Sequence, residues 1–163
     1  MAKHTVPERA RLAPIAERVE QARDAFLDEN GFALADYDAP RTPASFLGIA
    51  FSVPNPPRHR WAIMRHDLHH VATGCGTDLA SEAEVGAWEC RAGLRPLGLY
   101  TGAIVLSIVL LGLLIAPRRT LRAWRASEGL SLFHLPEYTY AALLSLTVGE
   151  LRELVGLPAS GLR

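Results

Sequence analysis

The sequence predicts an all-α fold, a single compact helical domain spanning residues 1–163. Three observations lead there. Apolar residues recur at three- and four-residue spacing in most segments. No segment shows a convincing two-residue alternation or an internal repeat. Proline- and glycine-rich stretches cut the chain into pieces of helix length. A chain of this size can bury one core. Seventeen basic and seventeen acidic residues cancel, so no charge excess points to a nucleic-acid partner. Cys75 and Cys90 form no CxxC pair and no disulfide framework, and read as small buried hydrophobes of a reducing compartment. "MAKHTVPERARLAP" lacks the apolar core of a secretion signal, so a cytoplasmic protein is expected.

In chain order, Leu12, Ile15, Val19, Ala22 and Phe26 mark an amphipathic helix ending near Gly31. "ADYDAPRTP" reads as a loop and "ASFLGIAF" as a short apolar helix. Residues 1–54 are thus N-terminal helices of uncertain role. Pro54, Pro56 and Pro57 then interrupt the chain. A helix from Trp61 to about Thr73 is stopped by "TGCG". The next begins between Thr77 and Ser81, with Ser81 and Glu84 as a capping box, and runs to Gly93. Helices follow around "RRTLRAWRASEG", "PEYTYAALLSL" and "TVGELRELVG", the last with Thr147 and Glu150 as a second capping box.

Between them, Leu97–Ala116 is a run of twenty uncharged residues flanked by Arg91 and Arg95 before and Arg118, Arg119, Arg122 and Arg125 after. That length is enough to cross a bilayer. Crossing would divide a small domain, with the arginine-rich helix on the far side from the histidines. The preferred reading is a buried or monolayer-embedded helix bordering an apolar tunnel or groove for an isoprenoid tail that leads toward the histidines, its arginines suited to anionic headgroups.

The chemistry concentrates in "HDLHHVATGCGTDLASE". On one helix His66, Asp67 and His70 project at about 0°, 100° and 40°, so the three share a face. Metal binding needs neutral imidazoles and ionised carboxylates converging on a point. Glu82 projects to about 160° on a continuous helix, and reaches the others only because the glycine break lets the chain reverse. His69, at about −60°, reads as a supporting or solvated histidine. Glu84 and Glu89 read as capping and surface charges. A mixed nitrogen and oxygen set without thiolate suits a divalent ion, zinc first and iron or manganese as alternatives. HDxxH also resembles the HExxH of zinc hydrolases, but Asp67 is a methylene shorter than the glutamate base that chemistry uses.

His66-Asp67-x-x-His70, eleven residues and then Glu82 resembles the metal-site signature of the coenzyme Q (ubiquinone) biosynthesis protein four family. "HDLHHVATG", "SEAEVGAWECRAGLRP", "RAWRASEGLSLF" and "PEYTYAALLSLTVGELRELVGLP" are similar to its flanking helices, so the family-like core covers about residues 55–158. The chain departs from the family pattern at "RASEG" after Trp124 and at "EYTY", outside the ligand set. The resemblance implies that His66, Asp67, His70 and Glu82 are the metal ligands, with Asp67 also catalytic. It implies oxidative decarboxylation at C1 of a polyprenylated hydroxybenzoate-type ring, or a scaffold that organises other quinone-biosynthesis enzymes. The implied partners are the polyprenyl-tailed aromatic lipid, the inner face of the cell membrane, pathway enzymes and a second copy of the chain.

Overall fold

Proline and glycine decide where the helices start and stop. The computed structural model describes residues 11–46 and 49–162; the N-terminal stretch 1–10, most of the segment read above for a secretion signal, lies outside them. Helix α1 (Val19–Asn30) ends at Gly31, whose φ of 74° is the left-handed conformation that glycine adopts without strain. Its start is later than the apolar spacing suggests, because Leu12 to Ile15 precede it in non-helical backbone. A 3₁₀ turn over Leu34–Asp38 follows.

The helix expected over "ASFLGIAF" is not formed. The segment contributes to an antiparallel hairpin, β1 (Arg41–Phe46) with β2 (Ile49–Pro54), in which Arg41 faces Pro54 and Phe46 faces Ile49. The physical reasons are legible afterwards. Ile49, Phe51 and Val53 alternate with Ala50 and Ser52, the period of a strand, and Pro43 is excluded from a helix interior. An isolated helix of eight residues would also be too short to hold itself together. Residues 1–54 therefore contribute, where described, one α-helix and a hairpin rather than helices alone.

Helix α2 (Pro57–Thr73) begins four residues earlier than expected, with Pro57 in its first turn, where a missing N–H costs nothing. It ends at Gly74, φ 74°. Helix α3 (Leu79–Ala92) is capped by Asp78, which accepts from the Ala80 and Ser81 backbone N–H groups. The Ser81–Glu84 capping box is thus corrected: Ser81 lies inside the helix, and Glu84 is buried in ion pairs with Arg119 and Arg122 at 2.7 and 2.9 Å. Helices α4 (Gly98–Ile115), α5 (Pro117–Ala126), α6 (Tyr140–Leu144) and α7 (Val148–Leu154) complete the chain, and the Thr147–Glu150 capping box of α7 is present.

Helix α3 is the central element. Ser81 and every residue from Ala83 to Glu89 are buried. One core gathers Val19, Phe26, Leu68, Trp88 and Leu151 around α1, α2 and α7. A second joins Ala62, Ala87, Val105, Val109 and Phe133 beneath α4. The tight seam is α3 against α4, where a Cβ on Gly112 would stand 2.2 Å from the Ala83 Cβ.

Only that side of α4 is covered. It is long and apolar enough to cross a membrane, with 28% of its most apolar window buried. Leu99, Leu106, Leu110 and Leu114 are exposed, at 92, 48, 55 and 81%. A fully buried core helix is therefore excluded. At its N-terminal end lies an open groove of about 450 Å³ lined by Pro40, Pro54, Asn55, Pro56 and Tyr100. The cavity beside His70, lined also by Phe26 and Val71, is only about 10 Å³ and has no room for an isoprenoid chain.

Replacing Gly112 by Ala tests the seam. Alanine gains about 0.8–1 kcal/mol of helix propensity, but the Ala83 methyl cannot swing aside, and overpacking costs about 1–3 kcal/mol. We expect the clash to win and thermal unfolding to occur at a lower temperature. An unchanged or raised midpoint would show that α4 does not pack on α3.

Candidate metal centre

Three histidines on α2 face two glutamates on α3. Only the five residues 74–78, beginning Gly74, Cys75 and Gly76, separate the helices, so α3 turns back beside α2. His70 stacks on Phe26, with centroids 5.2 Å apart, and its Nδ1 lies 3.3 Å from the Cys75 carbonyl. A carbonyl only accepts, so Nδ1 carries the proton and the Nε2 lone pair points into the gap. His66 places Nδ1 at 2.7 Å from Glu89 Oε1 and Nε2 at 3.2 Å from Glu82 Oε2. The two Nε2 atoms are 3.0 Å apart, and His70 Nε2 is 3.5 Å from the same Glu82 oxygen.

Three acceptor atoms thus meet at one point. Ligands held about 2.0–2.1 Å from a zinc ion lie roughly 3.0–3.5 Å from one another. The observed triangle has those dimensions, and the donor set of two imidazoles and a carboxylate is one that zinc, iron and manganese accept. His66 and Glu82 are 23% and 25% exposed in their side chains, leaving the centre open on one side to a ligand.

The electrostatics are those of a site built for positive charge. Burial works against the charged form of His66, but the carboxylates of Glu89 and Glu82 outweigh it and hold its pKa well above the ordinary imidazole value. Burial likewise opposes ionisation of Glu82, yet His70 and His66 pull its pKa far below the usual carboxylate range. Glu89, with the same opposing burial, is drawn down to about 2 by His66 and His69. Burial pushes His69 the other way, toward the neutral imidazole.

Of the four residues expected to ligate, the fold brings together His66, His70 and Glu82. Asp67 turns aside. Its Oδ2 accepts a 2.5 Å hydrogen bond from the Tyr37 hydroxyl, in the 3₁₀ turn after α1. Burial raises the Asp67 pKa although that hydroxyl works to lower it. The expectation that Glu89 is a surface charge is corrected: it is fully buried and bonded to both His66 and His69. Its position was readable, since seven residues beyond Glu82 returns to within about 20° of the same helix face. Tyr37 gave no such signal, being brought to Asp67 from thirty positions away by tertiary packing alone.

Comparison of the chain with protein-family profiles, with curated proteins and with solved structures finds no match. The resemblance to the coenzyme Q protein four family therefore rests on His66, Asp67, His70, Glu82 and the segments around them.

The site generates two expectations. His66→Ala and His70→Ala should each abolish tight zinc binding in a calorimetric titration, because each removes one corner of the triangle; retained affinity in either variant would contradict it. Because the carboxylates favour a proton on His66, zinc must displace one, so affinity should fall as pH falls and rise until the imidazole is neutral. Proton release is read from the dependence of the binding heat on buffer ionisation enthalpy, and a heat independent of buffer would contradict it.

Proposed function

We propose that this chain is a metal-dependent ubiquinone-biosynthesis protein acting at the membrane surface, where it carries out oxidative decarboxylation at C1 of a polyprenylated hydroxybenzoate-type ring. The observation that carries the reading is the convergence of His66, His70 and Glu82 in a domain that also exposes a bilayer-length apolar helix. The signature spacing of those residues, with Asp67, supplies the reaction class by resemblance. In that reaction the C1–carboxyl bond breaks, carbon dioxide leaves and a C1–oxygen bond forms. Water supplies that oxygen, and the two electrons pass to an external oxidant of the dioxygen class: ring carboxylic acid, dioxygen and water give ring hydroxyl, carbon dioxide and hydrogen peroxide.

A divalent ion supplies Lewis-acid stabilisation of the ring carboxylate and of the negative charge left as carbon dioxide departs. His66, His70 and Glu82 would hold it. Asp67 is assigned by resemblance as the remaining ligand and catalytic group. In the structure its Oδ2 is held by the hydrogen bond from the Tyr37 hydroxyl. The partly exposed edge of His66 and Glu82 would admit the ring.

The lipid tail is matched by α4. Burying one exposed leucine in acyl chains is worth about 1.5–3 kcal/mol. Leu106, Leu110 and Leu114 are exposed along it, and Leu121 and Trp124 are exposed on α5. Arg118 and Arg125 on α5 are exposed and suit anionic headgroups. Insertion of the open face into one leaflet keeps the seam with α3 intact, whereas spanning would strip Val105, Val109 and Gly112 of their partners. We therefore assign a peripheral position on the cytoplasmic face of the membrane. The same patch favours a second reading, a lipid-bound scaffold for other quinone-biosynthesis enzymes.

Two experiments test these readings. Leu110→Glu with Leu114→Glu should reduce cosedimentation with anionic vesicles by about tenfold or more, a loss of at least ~1.4 kcal/mol, with little change in thermal midpoint. Unchanged partition would remove the membrane assignment. In cells lacking the protein, a folded, membrane-bound Asp67→Ala or Glu82→Ala variant should fail to restore quinone and should accumulate the ring still carrying its C1 carboxyl. Normal quinone in such cells would leave the scaffold reading in place of the enzyme.

A further inference from the structure

Behind the triangle lies a second convergence, His66, His69 and Glu89, whose candidate donor atoms also lie within 4.8 Å of one another. Hydrogen bonding decides what it does. The Leu132 backbone N–H donates to His69 Nε2 at 3.0 Å, so that nitrogen carries the lone pair. The proton of a neutral His69 is then on Nδ1, which lies 2.7 Å from Glu89 Oε1 and donates to it. No lone pair remains on that side of His69 for an ion. Glu89 Oε1 sits equally close, 2.7 Å, to His66 Nδ1. The carboxylate is fully buried, and its second oxygen has no hydrogen-bond partner among the described residues. The two imidazoles therefore donate to the same oxygen.

We propose that Glu89 is a positioning residue for the metal centre: through one oxygen it fixes His66 as the Nδ1–H tautomer and aims the His66 Nε2 lone pair at the ion. The proposal rests on reading His66, His70 and Glu82 as a metal centre, and adds a residue outside that ligand set. His69 serves as the anchor. Its ring is held between Trp88 and Phe133, with centroids at 5.0 and 4.8 Å, and by the Leu132 N–H. A rigid line of hydrogen bonds thus runs from the Leu132 backbone through His69 and Glu89 to His66. A carboxylate on the far nitrogen also makes the imidazole a more basic donor, and loss of such a partner weakens metal binding by about 10–100-fold.

The test is Co²⁺ binding by the full chain, followed by its visible absorption. Glu89→Gln keeps the shape and an accepting oxygen but removes the charge. We expect it to fold with a metal-free thermal midpoint close to that of the parent and to bind Co²⁺ about 10–100-fold more weakly. Equal affinity in the two proteins would overturn the proposal, as would a lowered midpoint with unchanged affinity, the mark of a purely structural role. Failure of the parent itself to bind Co²⁺ would instead remove the metal centre, and the proposal with it. Should Glu89→Gln not fold, proton–nitrogen correlation spectra of the zinc-loaded parent decide the matter. His66 with a proton on Nδ1 and zinc on Nε2 supports the assignment, and zinc on Nδ1 overturns it.

Discussion

Between α2 and α3, His66 Nε2, His70 Nε2 and Glu82 Oε2 come within 3.0–3.5 Å of one another, and three acceptors cannot share so small a space without a positive charge among them. That charge is a proton on His66 or a bound cation. The surrounding structure follows from it. Gly74 ends α2 in the left-handed conformation, so that the chain can turn and bring Glu82 back. Asp78 caps α3 at the start of its first turn and sets the angular position of everything after it. Burial of α3 on nearly every side then fixes the two glutamates, because rotating the helix would pull Trp88 and Ala87 from their separate cores. A buried carboxylate such as Glu89 is tolerable only because two imidazoles share it.

The same buried helix ties the site to the surface of α4. The side of α3 that meets α4 is made of small residues, Ala83 and Gly86, which let Val105, Val109 and Gly112 approach closely. The apolar helix is thereby held against the element that carries Glu82 and Glu89, while its other side stays open.

How much of this the sequence reveals depends on how local each feature is. His66 and His70 lie four residues apart on one helix, and the glycines that follow announce a reversal, so the convergence with Glu82 was legible. Helix ends marked by Gly31, Gly74 and Thr147 were legible for the same reason: each is set by one residue's own backbone or side chain. Ser81 misled because Asp78, three residues earlier, is an equally good cap and captures the position. The hairpin was obscured by a short, strongly apolar run whose alternation is interrupted by Leu47 and Gly48. An acid near a helix end is commonly solvated, which obscures Glu89, although its register with Glu82 puts it on the histidine face. The hydrogen bond between Tyr37 and Asp67 has no local signature at all.

X-ray absorption at the zinc edge of the zinc-loaded protein tests the central claim most directly. The account predicts one ion per chain with a first shell of nitrogen and oxygen at about 2.0–2.1 Å and scattering from two imidazoles. A sulfur shell at about 2.3 Å, or a shell with no imidazole, would contradict it.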